Sequence, residues 1–313
     1  MKPIVTLTLN PAIDVACDAD VVRPTQKTRT YHEQMEPGGG GINVARALCG
    51  FAAPVKAIYL AGGASGRVLD AMVAERGIAR EAVWAKGDTR ISLNVRERGS
   101  GLEYRFVPEG PEISEFEWRD VLARVKSTDC DYFIASGSLP RGVPDDFYPR
   151  VIDLIAARGA RFLLDTSGAE LKSALRAGVF LIKPSLAELE ELVGQKLENR
   201  KAIAAAAISL IENGRTRLAA VTLGQGGSIL AGRHGAFFLP AVDVQVRSTV
   251  GAGDSFLAGM AYGLASANDD LAAFRMAVAA GAAAVQSPGA DLCKTADVDI
   301  LLKRVGEPQR IEW

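Results

Sequence analysis

Ser248-Thr249-Val250-Gly251-Ala252-Gly253-Asp254-Ser255-Phe256 opens a long apolar stretch that reads as a helix. Glycines at 251 and 253 let the backbone come close to a ligand. The successive N–H groups of such a helix start, with Gly251, Ala252 and Gly253 at its head, form a cradle for an anion. Asp254 falls in the first turn, where the helix dipole favours its ionised form. A carboxylate beside an anion cradle suits phosphoryl transfer. The base accepts a hydroxyl proton while the donors neutralise charge growing on the transferred group. The competing reading is a glycine-rich turn followed by an ordinary first-turn acid.

Outward from this helix, short β-branched runs alternate with helical periods. Strands are expected at 4–9, 55–61, 132–135, 161–165, 179–182 and 218–222. Helices are expected at 42–51, 66–76, 115–126, 145–157, 186–193, 200–213, 252–265 and 271–286. That alternation predicts an α/β fold over residues 1–313, with a mostly parallel sheet covered by helices on both faces. Ligands in such sheets sit beyond the carboxyl ends of the strands. Two stretches break the alternation, 15–34 and 89–107. The second reads as the strands Ile91-Ser92-Leu93-Asn94-Val95 and Leu102-Glu103-Tyr104-Arg105-Phe106-Val107, joined by Arg98-Gly99-Ser100-Gly101. Together they form either a small antiparallel β lid or two separate surface hairpins.

Glu36-Pro37-Gly38-Gly39-Gly40-Gly41-Ile42-Asn43-Val44-Ala45-Arg46 joins the first of these stretches to a helix. Four glycines can be a flexible linker. Their position between a lid and an amphipathic helix favours close approach of backbone to a ligand instead. Asn43 there offers both a donor and an acceptor to a sugar hydroxyl.

Composition removes other classes. The chain has 36 basic and 37 acidic residues, a net charge of -1, which argues against a nucleic-acid partner. The longest uncharged stretches, such as 276–290, fall short of the ~20 apolar residues of a membrane helix, and the N-terminal stretch lacks the apolar core of a secretory signal. Cys17, Cys49, Cys130 and Cys293 are scattered without a C-x-x-C pair, which points to a reduced, cytoplasmic protein. Two histidines, His32 and His234, exclude a His-rich metal site. No G-x-S-x-G elbow, P-loop or complete G-x-G-x-x-G is present, so hydrolase, P-loop and dinucleotide readings fall away.

Taken in order, these motifs resemble the ribokinase-like carbohydrate kinase family (PfkB type), in its phosphosugar branch, across essentially the whole chain. Thr8-Leu9-Asn10-Pro11-Ala12-Ile13-Asp14 resembles the first strand and sugar-binding aspartate. Gly38 to Asn43 matches the glycine signature, and Ser136-Gly137-Ser138-Leu139-Pro140 the mid-chain one. Val250-Gly251-Ala252-Gly253-Asp254 is similar to the signature that carries the anion hole and catalytic base. Within the branch, Lys27-x-Arg29, the unbroken Gly38–Gly41 run, Ala61-Gly62-Gly63-Ala64-Ser65-Gly66 and Tyr104-Arg105-Phe106-Val107 are most similar to 6-phosphofructokinases of the minor bacterial type.

The resemblance implies a three-layer α/β/α sandwich with a β lid and an ATP-dependent sugar-phosphate kinase. It would act on fructose 6-phosphate at O1, with 1-phosphofructokinase and tagatose-6-phosphate kinase as alternatives. A non-catalytic sugar-phosphate sensor is the rival from another class. By resemblance Asp14, Gly38, Gly39 and Asn43 hold sugar hydroxyls, and Lys27, Arg90, Arg105 and Ser138 the sugar phosphate. Two guanidiniums and an ammonium suit a dianion, although solvated lid cations are the plainer reading. On the nucleotide side the resemblance implies Lys183, Ser185, Thr222, Gly224, Gly226 and Gly227, with 282–288 near adenine. Glu188 would organise Mg2+ through water, where the plain reading is a helix-start acid, and Ser185 replaces the family's usual asparagine. Ser248, Val250, Gly289 and Asp291 would supply oxygen ligands to K+. A homodimer joined through the lid is implied as well, covering otherwise open sheet edges.

Overall fold

The computed structural model describes residues 3–267, 269–287, 289 and 291–312. The first half runs β1 (Ile4–Thr8), β2 (Ala12–Ala19), β3 (Thr30–Gly38), α1 (Gly40–Gly50), β4 (Val55–Gly62), α2 (Gly63–Glu75), β5 (Ala79–Ala85), β6 (Arg90–Glu97), β7 (Glu103–Phe106), α3 (Glu115–Ser127), β8 (Tyr132–Ser136) and α4 (Phe147–Ala156). The second half runs β9 (Arg161–Asp165), α5 (Gly168–Ala177), β10 (Val179–Ile182), α6 (Leu186–Val193), α7 (Arg200–Glu212), β11 (Thr216–Thr222), β12 (Ser228–Gly232), β13 (Gly235–Leu239), α8 (Ala252–Ala267), α9 (Asp270–Val285), α10 (Thr295–Leu302) and β14 (Gln309–Ile311).

Ten strands form the main sheet in the order β14-β13-β12-β11-β10-β9-β8-β1-β4-β5. Pairing is parallel from β5 through β11 and antiparallel beyond it. Side chains alternate between the faces. Ile4, Ala57, Tyr59 and Ile134 meet the core under α1, α2, α8, α9 and α10. Val5, Leu7, Ile58 and Phe133 meet the core under α3 to α7. The strands are buried on both sides, which is why they read as short apolar runs rather than strict alternation. Strand order moves one way from β1 to β4 and β5, and the other way from β8 to β11. The reversal between β1 and β8 is the crevice where such sheets bind ligands.

Strand β5, the β12–β13–β14 ladder, α5 and α10 lie outside the sequence expectations. β5 is an edge strand with only Val83 fully buried, so it lacks an apolar run. β12 and β13 are joined by Arg233-His234 between Gly232 and Gly235, and those glycines read as loop.

The two irregular stretches build one second sheet, ordered β3-β2-β6-β7. Each is an antiparallel hairpin, and parallel pairing of β2 with β6 joins them. Strands β2 and β3 begin at Ala12 and end at Gly38, beyond the expected 15–34, because turn-forming Asn10-Pro11 and Pro37 flank them without breaking the ladder. Register divides this lid sheet by face. Gln34, Ala16, Asn94 and Arg105 form one cross-strand row, while Met35, Val15, Leu93 and Phe106 form the neighbouring row on the opposite face. The lid's own core is small, centred on Cys17, Ala19 and Val95.

On the apolar row Met35 is 49% and Phe106 56% exposed, with Ile91 beside them at 48%. An uncovered apolar sheet face on an otherwise buried fold invites a second surface. Phe106→Asp is therefore expected to shift the chain toward a smaller sedimenting species than wild type. Equal sedimentation of the two would remove this face from any self-association.

Candidate active site

At the crevice, α8 presents its N-terminus to the carboxyl ends of β1, β8, β9 and β10. Asn43 Nδ2, from α1, donates to Asp254 Oδ2 at 3.0 Å. Ser136 Oγ, at the end of β8, lies 3.3 Å from Asp254 Oδ1 and 3.4 Å from Asp165 Oδ2, so its single proton serves one carboxylate at a time. Burial pushes the Asp254 carboxyl up to about 7; the Asp165 charge adds to this, and Asn43, Lys183 and Ser136 oppose it. Lys183, 7% exposed, pairs with Asp165 at 3.1 Å. Burial works against its ammonium, but Asp165 more than compensates, and its pKa is raised. A Cβ at Gly253 would lie 3.4 Å from Lys183 Nζ, so this cation stands against the first turn of α8.

The four-glycine run is packed, not a loose linker. A Cβ on Gly38 would strike the Asp14 carboxylate, one on Gly40 the Ser136 hydroxyl, and one on Gly41 the backbone of Leu7. Gly39, at φ 103°, also serves as the N-cap of α1. These approaches bring Asn43 within reach of Asp254. Gly251, at φ 73°, turns the chain into α8, and Ser248 Oγ accepts from Val250 N–H at 3.2 Å. Ala252 N–H reaches Thr249 O at 3.5 Å, and the amides of Gly253 and Asp254 follow at the head of α8, where an α-helix leaves its first donors without carbonyl partners four residues back.

Between lid and body lies a cavity of about 200 Å³ lined by, among others, Asp14, Gly39, Asn43, Arg90, Arg105 and Asp254. Arg90 donates to the carbonyls of Asn10 at 2.8 Å and Pro108 at 2.9 Å, while its Nε is buried without a partner. Burial raises the Asp14 carboxyl, and Arg90, Arg46 and Arg105 pull against that. Two guanidiniums, two carboxylates and an asparagine thus face one enclosed space, with the donor array for a phosphate and for sugar hydroxyls.

Three expected residues do not line this cavity: Gly38 packs against the Asp14 carboxylate, Lys27 is exposed on the β2–β3 connection, and Ser138 stands exposed after β8, accepting from Asn10 Nδ2 at 3.4 Å. On the nucleotide side, Lys183, Thr222 and the Gly224–Gly226 turn follow the carboxyl ends of β10 and β11. Gly226 follows in that turn, and Gly227, at φ 97°, ends it against Leu239. Ser185 and Glu188 engage one another as a capping box at the start of α6: Glu188 N donates to Ser185 Oγ at 3.3 Å and Ser185 N to Glu188 Oε2 at 2.7 Å. The serine thus has a structural task of its own, and so does one oxygen of Glu188. Ser248 N–H donates to Val285 O at 3.3 Å, which ties this segment to the C-terminal end of α9. Pro288, the end of the 282–288 expectation, lies outside the described residues.

Sequence reasoning missed the parts played by Ser136, Asp165 and Arg46. Asp165 ends the apolar run Phe162-Leu163-Leu164, and an acid at the carboxyl end of a buried parallel strand is a usable signal. Ser136 sits in the mid-chain signature, but its partners Asp165 and Asp254 come from distant segments; the partners of Arg46 lie within ten positions, yet nothing in their spacing shows that they converge on it. Among the described residues no group of three or more His, Cys, Asp or Glu could hold a metal, and no helix is long and apolar enough to cross a membrane.

A buried carboxylate at a helix start, beside a cavity lined by two arginines at an α/β switch point, has the parts that phosphoryl transfer to a sugar requires. Comparison with known proteins agrees: residues 7–297 match the model of the pfkB family carbohydrate kinases, and the chain belongs to that family. It is 37% identical to ATP-dependent 6-phosphofructokinase isozyme 2 of Mycobacterium tuberculosis, covering 99% of this chain and 92% of that one. To the Escherichia coli enzyme of the same name it is 36% identical, covering 95% and 97%. The crystal structure of Escherichia coli phosphofructokinase-2 in complex with potassium superposes with a TM-score of 0.93 at 35% identity, over 97% of this chain and 99% of that one. That enzyme is also known in complex with fructose-6-phosphate and in a tetrameric inhibited form. The fold is therefore ribokinase-like.

The raised Asp254 carboxyl has a thermodynamic consequence. Between its unfolded value near 4 and about 7, the folded chain binds the proton more tightly than the unfolded one, so this group costs stability as pH rises through that window. Asp254→Asn is expected to raise the melting temperature at pH 8, by an amount on the order of 1–3 kcal/mol in stability. The gain should vanish near pH 4, and calorimetry at both pH values checks it.

Proposed function

We propose that this chain is a Mg2+-dependent kinase that phosphorylates fructose 6-phosphate at O1, giving fructose 1,6-bisphosphate and ADP. The observation that carries the reading is Asp254, a partly dehydrated carboxylate with a pKa near 7, at the head of α8 and on the wall of the cavity. Two 6-phosphofructokinases among its relatives and the fructose-6-phosphate complex of the Escherichia coli enzyme support the acceptor. In this reading Asp14, Gly38, Gly39 and Asn43 orient the sugar, and Arg90 and Arg105 hold its 6-phosphate. The O1 proton passes to Asp254 as O1 bonds to the γ-phosphorus, and the bond from that phosphorus to the β-phosphate bridging oxygen breaks. The amides of Gly251, Ala252 and Gly253 meet the negative charge of the transferred group.

ATP would lie along Lys183, Ser185, Thr222, Gly224, Gly226 and Gly227. Mg2+ keeps waters and phosphate oxygens as ligands, so the lack of a protein cage among the described residues suits an ion carried by the nucleotide, with Glu188 reaching it through water. When bound, it supplies charge neutralisation of the phosphates. The oxygens of Ser248, Val250, Gly289 and Asp291 suit K+, in keeping with the potassium complex of the Escherichia coli enzyme. A homodimer through the apolar lid face is our reading of the assembly. Its bare Met35–Phe106 row supports it, and the tetrameric form of the Escherichia coli enzyme bears on higher states of that protein. A cytoplasmic setting is supported by cysteines that are scattered along the chain without a C-x-x-C pair. A 1-phosphofructokinase of Borreliella burgdorferi, 31% identical over 96% of this chain, supports fructose 1-phosphate as the second acceptor to test.

ATP consumption is therefore to be measured across fructose 6-phosphate, fructose 1-phosphate and tagatose 6-phosphate, with fructose 6-phosphate expected to give the highest kcat/KM. Preference for another acceptor would overturn the substrate assignment. General-base assistance is worth about 10²–10⁴-fold. Asp254→Asn should accordingly lose two to four decades in kcat while still binding both ligands, and an unchanged kcat would remove Asp254 as the base.

Arg90 provides an independent check. Loss of a charge-assisted hydrogen bond costs roughly 1.5–3 kcal/mol, about one to two decades. Arg90→Ala should raise the KM for the sugar phosphate by that factor and leave the KM for ATP nearly unchanged. A KM for fructose 6-phosphate equal to wild type would place Arg90 outside the phosphate site.

A further inference from the structure

We infer that Arg46 is a positioning residue that locks the amide of Asn43 in the one orientation that serves Asp254. The two ends of an asparagine amide have nearly the same shape, so only the surrounding network decides which faces where. Here Arg46 Nη1 donates to Asn43 Oδ1 at 3.2 Å and to Pro37 O at 3.1 Å. Its Nη2 donates to Glu36 Oε2 at 2.6 Å, and the side chain is 7% exposed, so the guanidinium is held on three sides. With Oδ1 engaged, Nδ2 is left to donate to Asp254 Oδ2 at 3.0 Å. A reversed amide would set oxygen against carboxylate and NH2 against guanidinium, two repulsions at once. The charged groups facing Arg46 are Glu36, Arg76, Asp291 and Asp14. Those facing Asp254 are Asp165 and Lys183. None of these groups contacts the Asn43 amide among the hydrogen bonds of the described residues, so Arg46 is the group beyond the Asp254 carboxylate itself that directs it.

The relay Glu36–Arg46–Asn43–Asp254 ties the end of the lid strand β3 to the base. It rests on the reading of Asp254 as general base and adds a residue that touches neither substrate. Arg46→Met removes the donors and keeps the buried stem. It is expected to lower kcat by about tenfold or more, the usual weight of a charge-assisted hydrogen bond. KM for ATP should stay within about twofold. It should also move the acid limb of the kcat profile to higher pH, because a carboxylate that loses a donor binds its proton more tightly.

The deciding measurement is a double-mutant cycle with Asn43→Ala. If Arg46 acts through Asn43, adding Arg46→Met to Asn43→Ala costs less than about twofold further in kcat. Arg46→Lys, which keeps the charge for Glu36, should recover part of the loss, and it carries the same cycle if Arg46→Met is too unstable to assay. Fully additive losses, or an acid limb that does not move, would overturn the proposal while Asp254→Asn remains inactive. An Asp254→Asn variant with wild-type kcat would instead defeat the general-base reading itself.

Discussion

Withdrawing a carboxylate from water is costly unless donors replace the lost hydration. Asp254 receives the Asn43 amide at 3.0 Å and shares the Ser136 hydroxyl, at 3.3 Å, with Asp165. The replacement is partial, and the carboxyl rises to about 7. Much of the surrounding architecture can be understood as the means of bringing those donors in. The glycine run lets α1 start directly against β1 and β8, Ser136 ends a fully buried strand, and Arg46 holds the amide in place. A group near neutrality accepts and returns a proton at little cost, the property a general base needs.

Beneath the site, a sheet buried on both faces supplies a rigid frame, and its strand order reverses beside Asp254. Close packing supports the same end: α8 lies against α9 where Gly259 and Gly263 admit the backbone of Met276 and the side chain of Ala273. The N-terminus of α8, with its donors, is thereby held against Lys183 and the ends of the parallel strands. Lys183 and Asp165 compensate one another in a place where neither charge would be tolerated alone.

The lid sheet divides its work by face. Its cavity side carries Asp14, Arg90, Asn94 and Arg105, while the exposed apolar residues Met35, Ile91 and Phe106 lie on the other side. Few of its residues are fully buried, so it gains little stability of its own compared with the body. Such an element suits a part that must admit and release a ligand. Arg46 and Glu36 connect its β3 end to α1, and through Asn43 to the Asp254 carboxylate.

Local sequence determined the strand and helix alternation, the lid hairpins and the helix that opens at Ala252, because apolar period and turn chemistry are properties of neighbouring residues. It also singled out Asp254 and Asn43, since glycine signatures and first-turn acids are visible in a few consecutive positions, while Asp14 and the two arginines were reached through the family resemblance. Edge elements such as β5 and β14 stayed hidden, for a strand with one buried residue leaves no apolar run to read. Only the tertiary structure decided that the four glycines are packed and that β2 pairs with β6 to make one sheet. Likewise, it left Lys27, Gly38 and Ser138 outside the cavity lining. The physical reason is the same in each case: a hydrogen bond such as Asn43 to Asp254 spans 211 positions. Its existence depends on the crossing of strands and helices that no local pattern encodes.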